Sequence, residues 1–146
     1  MNDKDRLGLY IILTYEDYER RMAEEFAASD SPDQRISDRH RAIFMHLSLH
    51  GATRSVDLAN AIGIRPQSMM KLVHELEAMG LISRRVDPTD ARAKLIEFTP
   101  DGERLQAQFR VASSQVWDKY EDILGERKLN QLCKSLSLLL ESQGIL

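Results

Sequence analysis

The sequence predicts a mainly α-helical fold with a small β-hairpin, a winged helix-turn-helix flanked by N- and C-terminal helices that serve dimerisation. Three observations predict it. Two short helical patterns, 55–61 and 66–79, are separated by Gly63, which permits the tight turn such a motif needs. Two strand-like runs, 81–86 and 94–98, follow at once. Longer amphipathic helical patterns stand on either side, where a domain of this size has too little core to cover them alone.

Taken in order, Leu7, Ile11, Thr14, Tyr18, Met22 and Phe26 advance by three or four residues and describe a long helix with Glu16, Asp17, Glu19 and Arg20 on its other faces. Residues 29–33, with Pro32 among serines and aspartates, break it. Ser37 suits a helix N-cap, and Ala42, Ile43 and Leu47 form the buried side of a second helix ending at Gly51. Thr53 opens the winged segment, with Leu58, Ala59 and Ile62 as the inner face of its first helix. In the next helix Pro66 fits the first position, where its missing N–H is not needed, and Gly80 fits the position past the end. Met69, Leu72, Val73 and Leu76 give that helix one buried face, leaving Gln67, Ser68, Met70, Lys71 and His74 pointing away. Residues 87–92 are expected to loop between the strands. Thr99 caps and Pro100 starts a helix through Leu105, Phe109, Ala112, Val116 and Tyr120 to about Leu124, which Gly125 ends. The last helix, 126–141, repeats Leu129, Leu132, Cys133, Leu136, Leu139 and Leu140, a stripe wide enough for burial on more than one side. The expected organisation is one domain over 1–146, with 1–36 and 99–146 forming a dimerisation layer around the winged helix-turn-helix at 37–98.

Composition supports a water-soluble chain: 42% apolar, 29% charged, and no run approaching the ~20 apolar residues that span a bilayer. The opening residues lack the basic and apolar regions of a signal peptide, so a cytoplasmic location is expected. Cys133 has no partner for an internal disulfide and, set in the leucine stripe, reads as core filler rather than a redox sensor. The formal net charge is −3, yet residues 53–98 carry seven Lys/Arg against six Asp/Glu, so the acid lies outside the winged segment. Arg54, Arg65, Lys71, Arg84, Arg85, Arg92 and Lys94 are the cations there that could meet phosphate.

The run 76–84 (LEAMGLISR), then Asp87-Pro88-Thr89-Asp90-Ala91-Arg92-Ala93-Lys94 and Phe98-Thr99-Pro100-Asp101-Gly102, resembles the MarR family of bacterial transcription regulators. The resemblance implies a homodimer joined through its terminal helices. It implies an arginine, here Arg92, that enters the minor groove, and a small aromatic or phenolic effector bound between the dimer layer and the winged helix. Ala91 departs from many family wings, which carry a second basic residue there.

A major groove about 12 Å wide admits one helix, whose N-terminal residues reach base edges while phosphate contacts fix its register. Gln67, Ser68 and Lys71 are the candidate base readers, with Arg65 on phosphate and Arg84, Arg85 and Lys94 toward the DNA backbone. Asp90 and Arg92 admit a reading as an exposed ion pair of little worth. Asp-x-Arg at a hairpin tip favours instead a carboxylate that orients a guanidinium toward a narrow minor groove. Tyr10, Tyr15, Phe44 and His46 are the candidates for an effector cleft, although each also fits as ordinary core. His46 and His50 stand four residues apart, but only Glu24, Glu25 and His40 could help them hold a metal, so neither metal nor cofactor is expected. No nucleophile, base or phosphate-loop pattern indicates an enzyme. The sequence thus reads as a sequence-specific regulator, a repressor that binds palindromic duplex DNA as a homodimer and is released by a small molecule. A winged-helix protein-interaction module and a metal-sensing regulator of the same fold are the alternatives.

Overall fold

The computed structural model describes residues 2–28 and 36–145. The expected break at 29–33 lies outside them. The elements run α1 (Asp3–Ala27), α2 (Asp38–His50), β1 (Thr53–Arg54), α3 (Ser55–Ile62), α4 (Pro66–Ala78), β2 (Ile82–Asp87), β3 (Asp90–Phe98), α5 (Pro100–Leu124) and α6 (Glu126–Glu141). They divide into two compact units, residues 33–107 and the helical pair of segments 1–32 and 108–146.

In the winged unit each helix end has a local cause. The hydroxyl of Ser37 accepts from the His40 amide at 3.3 Å while His40 Nδ1 accepts from the Ser37 amide at 3.1 Å, a capping box with histidine at the third position. Gly63 takes a left-handed conformation with φ 77°, so the amides of Gly63 and Ile64 both close on the Ala59 carbonyl. At the far end of α4 the Leu81 amide reaches the Leu76 carbonyl at 3.0 Å and Gly80 reaches Glu77 at 2.9 Å, a Schellman close that turns the chain into β2. Ile43 and Phe44 of α2, Leu58 of α3, Met69, Val73 and Leu76 of α4, and Ile82 and Ile96 of the sheet are almost wholly buried together. Phe98 packs on Phe44 with ring centroids 4.9 Å apart.

The sheet has three antiparallel strands in the order β1-β3-β2, with Thr53 opposite Ile96 and Ile82 opposite Phe98. Sequence alone missed β1, a two-residue strand too short for any periodic signal. The expected six-residue loop at 87–92 is also corrected: pairing continues to Asp87 opposite Asp90, and only Pro88 and Thr89 lie between the strands. The Asp87 carboxylate supplies the turn by accepting from the amide and hydroxyl of Thr89, so no longer loop is required.

Beyond β3, Thr99 joins three segments. Its hydroxyl donates to the Gly80 carbonyl at 2.5 Å and accepts from the Gly102 amide at 3.1 Å, while its amide donates to the Leu81 carbonyl. Gly102 lies so close that a Cβ there would stand 1.9 Å from the Leu81 oxygen. Thr99-Pro100-Asp101-Gly102 is thus the weld between the end of α4 and the start of α5.

In the helical unit Met22, Ala112, Val116 and Tyr120 form a small core with Tyr18 and Phe109 against it. Phe26 stacks on Phe109 at 4.6 Å. Asp17 accepts from Arg21 and from the Tyr120 hydroxyl at 2.7 and 2.8 Å and also pairs with Arg20; these bonds hold its carboxyl far below the usual range. Burial, then the bond to Asp17, pushes the Tyr120 hydroxyl up to about 12. Helix α6 buries none of its residues within this chain: Leu132, Leu136, Leu138, Leu139 and Leu140 are exposed, and so is Cys133. That corrects the reading of Cys133 as core filler, because the stripe is only partly covered within its own protomer. Leu7 and Ile11 of α1 are likewise exposed. No helix among the described residues is long and apolar enough to cross a membrane.

Candidate nucleic-acid interface

Helix α4 buries Met69, Leu72, Val73 and Leu76, which fixes what its other side presents. Gln67, Lys71 and His74 are exposed in a line along it, with Ser68 and Met70 half-buried beside them. A broad, shallow depression of about 710 Å³ follows that side, lined by Pro66, Gln67, Met70, Lys71, His74, Glu75 and Ala78. Arg65, exposed and extended at φ −67° and ψ 146°, forms the N-cap without a side-chain cap, and the first turn carries no acid. The positive end of the helix dipole is therefore open to an anion.

The wing adds a second cationic feature. Asp90 Oδ1 accepts from the Arg92 amide at 3.0 Å and from its Nε at 3.3 Å, and the Arg92 side chain is 93% exposed. The carboxylate aims the guanidinium as the Asp-x-Arg spacing implied. The position is corrected, since Arg92 stands two residues into β3 and Pro88-Thr89 occupies the tip. Lys94 is exposed further along the same strand.

Three arginines that sequence offered to phosphate have carboxylate partners within the chain. Arg54 donates from Nε and Nη2 to Asp87 Oδ2 at 2.7 and 2.6 Å. Asp87 is 5% exposed, and bonds from Thr89, then from Arg54, hold its carboxyl down to about 2. Together they lock β1 to the root of the wing. Arg84 makes a two-pronged bond to Glu77 at 3.0 and 2.8 Å, tying β2 to the last turn of α4. Arg85 donates to Glu97 across the hairpin at 2.7 Å. Asp-Pro-Thr was a legible turn signal for Asp87, whereas no local pattern joins Arg54 to a residue 33 positions away.

The effector candidates divide between the units. Tyr10 borders a pocket of about 460 Å³ in the helical unit with Asp17, Trp117 and Tyr120, and Tyr15 is 62% exposed on α1. Phe44 is 2% exposed in the winged-unit core, where packing on Phe98 removes it from any open cleft. His46 is half-buried with its ring 4.5 Å from His50; burial, then the charge of His50, lowers its proton affinity. Among the described residues no group of three or more His, Cys, Asp or Glu could hold a metal ion.

The model of the MarR family matches residues 36–93, the segment that holds α2, the helix-turn-helix and most of the wing. The HTH-type transcriptional regulator FarR of Neisseria gonorrhoeae is 29% identical over 94 residues, which are 64% of this chain and 64% of FarR, just under two thirds of its length. In fold the chain is similar to RV1404 from Mycobacterium tuberculosis, with a TM-score of 0.78, 20% identity, and 99% and 96% of the two chains covered. It is also similar to NadR, solved in complex with 4-hydroxyphenylacetate, with a TM-score of 0.72, 22% identity, and 94% and 97% covered.

Proposed function

Because this chain belongs to the MarR family of winged helix-turn-helix transcriptional regulators, we propose that it binds a palindromic duplex operator as a homodimer and represses from it. One observation carries the reading: a single unit presents both an exposed polar line on α4 and an exposed arginine bonded to Asp90 on the wing. Helix α4 enters the major groove, where Gln67, Ser68 and Lys71 meet base edges, with Arg65 and the open helix N-terminus on phosphate. Arg92, aimed by Asp90, enters the adjacent minor groove, and Lys94 follows the backbone. Arg84, Arg85 and Arg54 serve this surface chiefly by bracing it. The exposed leucines of α6 supply the face that the second protomer covers. The small cationic excess of residues 53–98 supports modest non-specific affinity and pronounced salt sensitivity.

NadR, crystallised with 4-hydroxyphenylacetate, supports a small aromatic acid as the effector class. Such a molecule releases DNA only through a difference in its affinity for the DNA-bound and released conformers. The test is fluorescence anisotropy with labelled genomic fragments at two salt concentrations, followed by titration of aromatic acids into the complex. Retention of one fragment at the higher salt supports the reading; equal binding of all fragments, or of none, contradicts it.

A further inference from the structure

His40 stands on α2, away from the exposed line of α4, yet it touches the reading helix. It is 4% exposed and both ring nitrogens are engaged. Nδ1 accepts from the Ser37 amide at 3.1 Å, so that nitrogen carries no proton. Nε2 therefore bears the hydrogen and donates to Glu75 Oε2 of α4 at 2.8 Å. The other oxygen of the same carboxylate, Oε1, lies 3.9 Å from Lys71 Nζ, one turn back on the same helix. A backbone amide, a buried imidazole, a carboxylate and an ammonium are thus strung in sequence from the cap of α2 to the reading face of α4.

We propose that His40 is a positioning residue for operator recognition, fixing through Glu75 the direction of Lys71 on α4. The inference rests on the DNA-reading role of α4 proposed above. Left alone, a lysine that is 79% exposed samples many rotamers, and a half-exposed glutamate beside DNA would repel phosphate wherever it swung. The bond from His40 pins one carboxylate oxygen inward. The second oxygen is then a fixed counter-charge that biases the ammonium to one side of the groove. An apolar residue at position 40 would keep the volume and lose this restraint. A glutamate or glutamine at the third helix position completes an ordinary capping box without reaching α4, so the imidazole supplies something the cap itself does not require.

The test is a double-mutant cycle of His40→Leu and Lys71→Ala, read as the ratio of affinities for the operator and a scrambled duplex. His40→Leu should lower that ratio about tenfold in the parent and less than about twofold when Lys71 is already alanine. Glu75→Gln keeps an acceptor for Nε2–H, so the fold is retained, and it should also lower the ratio, chiefly by raising affinity for the scrambled duplex. Long-range imidazole nitrogen–proton NMR correlations on the unbound protein should show His40 protonated at Nε2. A loss that is equal with and without Lys71, an unchanged ratio in Glu75→Gln, or a proton on Nδ1 overturns the inference while leaving DNA binding intact. Failure of the parent to prefer any duplex overturns the proposed function itself, and this inference with it.

Discussion

Replacing Gly102 by alanine tests the weld between the reading helix and α5. The added carbon would meet the Leu81 carbonyl oxygen at 1.9 Å, its carbon at 3.0 Å and Phe98 Cδ1 at 3.1 Å. Carbon–oxygen contacts settle at about 3.3 Å or more, so backbone must open by more than 1 Å, and no flexible side chain can yield in its place. That opening strains the Thr99 amide bond to Leu81, 3.1 Å, and the Thr99 hydroxyl bond to Gly80, 2.5 Å. Overpacking and two weakened hydrogen bonds together amount to about 3 to 4 kcal/mol. For a chain of this size the melting temperature should fall by roughly 6 to 15 °C. Gly80→Ala is the comparison: its φ of 74° is costly for alanine but space is open around it, so a loss of about 1 to 2 kcal/mol is expected. Thermal and urea melts followed by circular dichroism measure both. Gly102→Ala melting within 2 °C of the parent, or above Gly80→Ala, would refute the packing described here.

Lys71→Ala or Gln67→Ala should change which base pairs are preferred, at about 1 to 3 kcal/mol each, in binding to an operator library. Asp87 has a folded value of about 2, below the 3.8 of an ordinary aspartate. Its stabilisation is therefore full above about pH 4 and lost as pH falls toward 2. Urea melts between pH 2 and 6 should show a flatter pH dependence for Asp87→Asn. The parent should sediment as a dimer at micromolar concentration, and Leu132→Asp with Leu136→Asp should sediment as a monomer.

What sequence made legible was periodic or local. The buried face of α4, the Pro66 start, and the Gly63 and Gly80 stops follow from spacing and backbone preference and are found in place, whereas on α2 and α3 Ile43, Leu47, Leu58 and Ala59 are buried but Ala42 and Ile62 only half-buried. The wing's extent was harder, because the polar residues of 87–92 look like a loop unless the Asp87 carboxylate is seen to make the turn itself. Arg54 and Arg84 read as DNA contacts because a cation near a reading helix suggests phosphate. Their carboxylate partners, Asp87 and Glu77, are set by tertiary packing that no window of sequence contains. Cys133 was misplaced for the opposite reason: a leucine stripe implies burial, but the pattern does not say which chain provides the cover. His40 read only as a helper to a metal, since its pairing with Glu75 joins residues 35 positions apart.

Recognition by helix and wing together is tested most directly by the salt dependence of operator affinity for the parent and Arg92→Ala. Arg92 is exposed, oriented by Asp90 and outside both hydrophobic cores, so its loss should leave folding and dimerisation unchanged. The plot of log affinity against log salt should become shallower by about one to two units per dimer, with weaker binding at every salt. Superimposable titrations of the two proteins would contradict insertion of the wing.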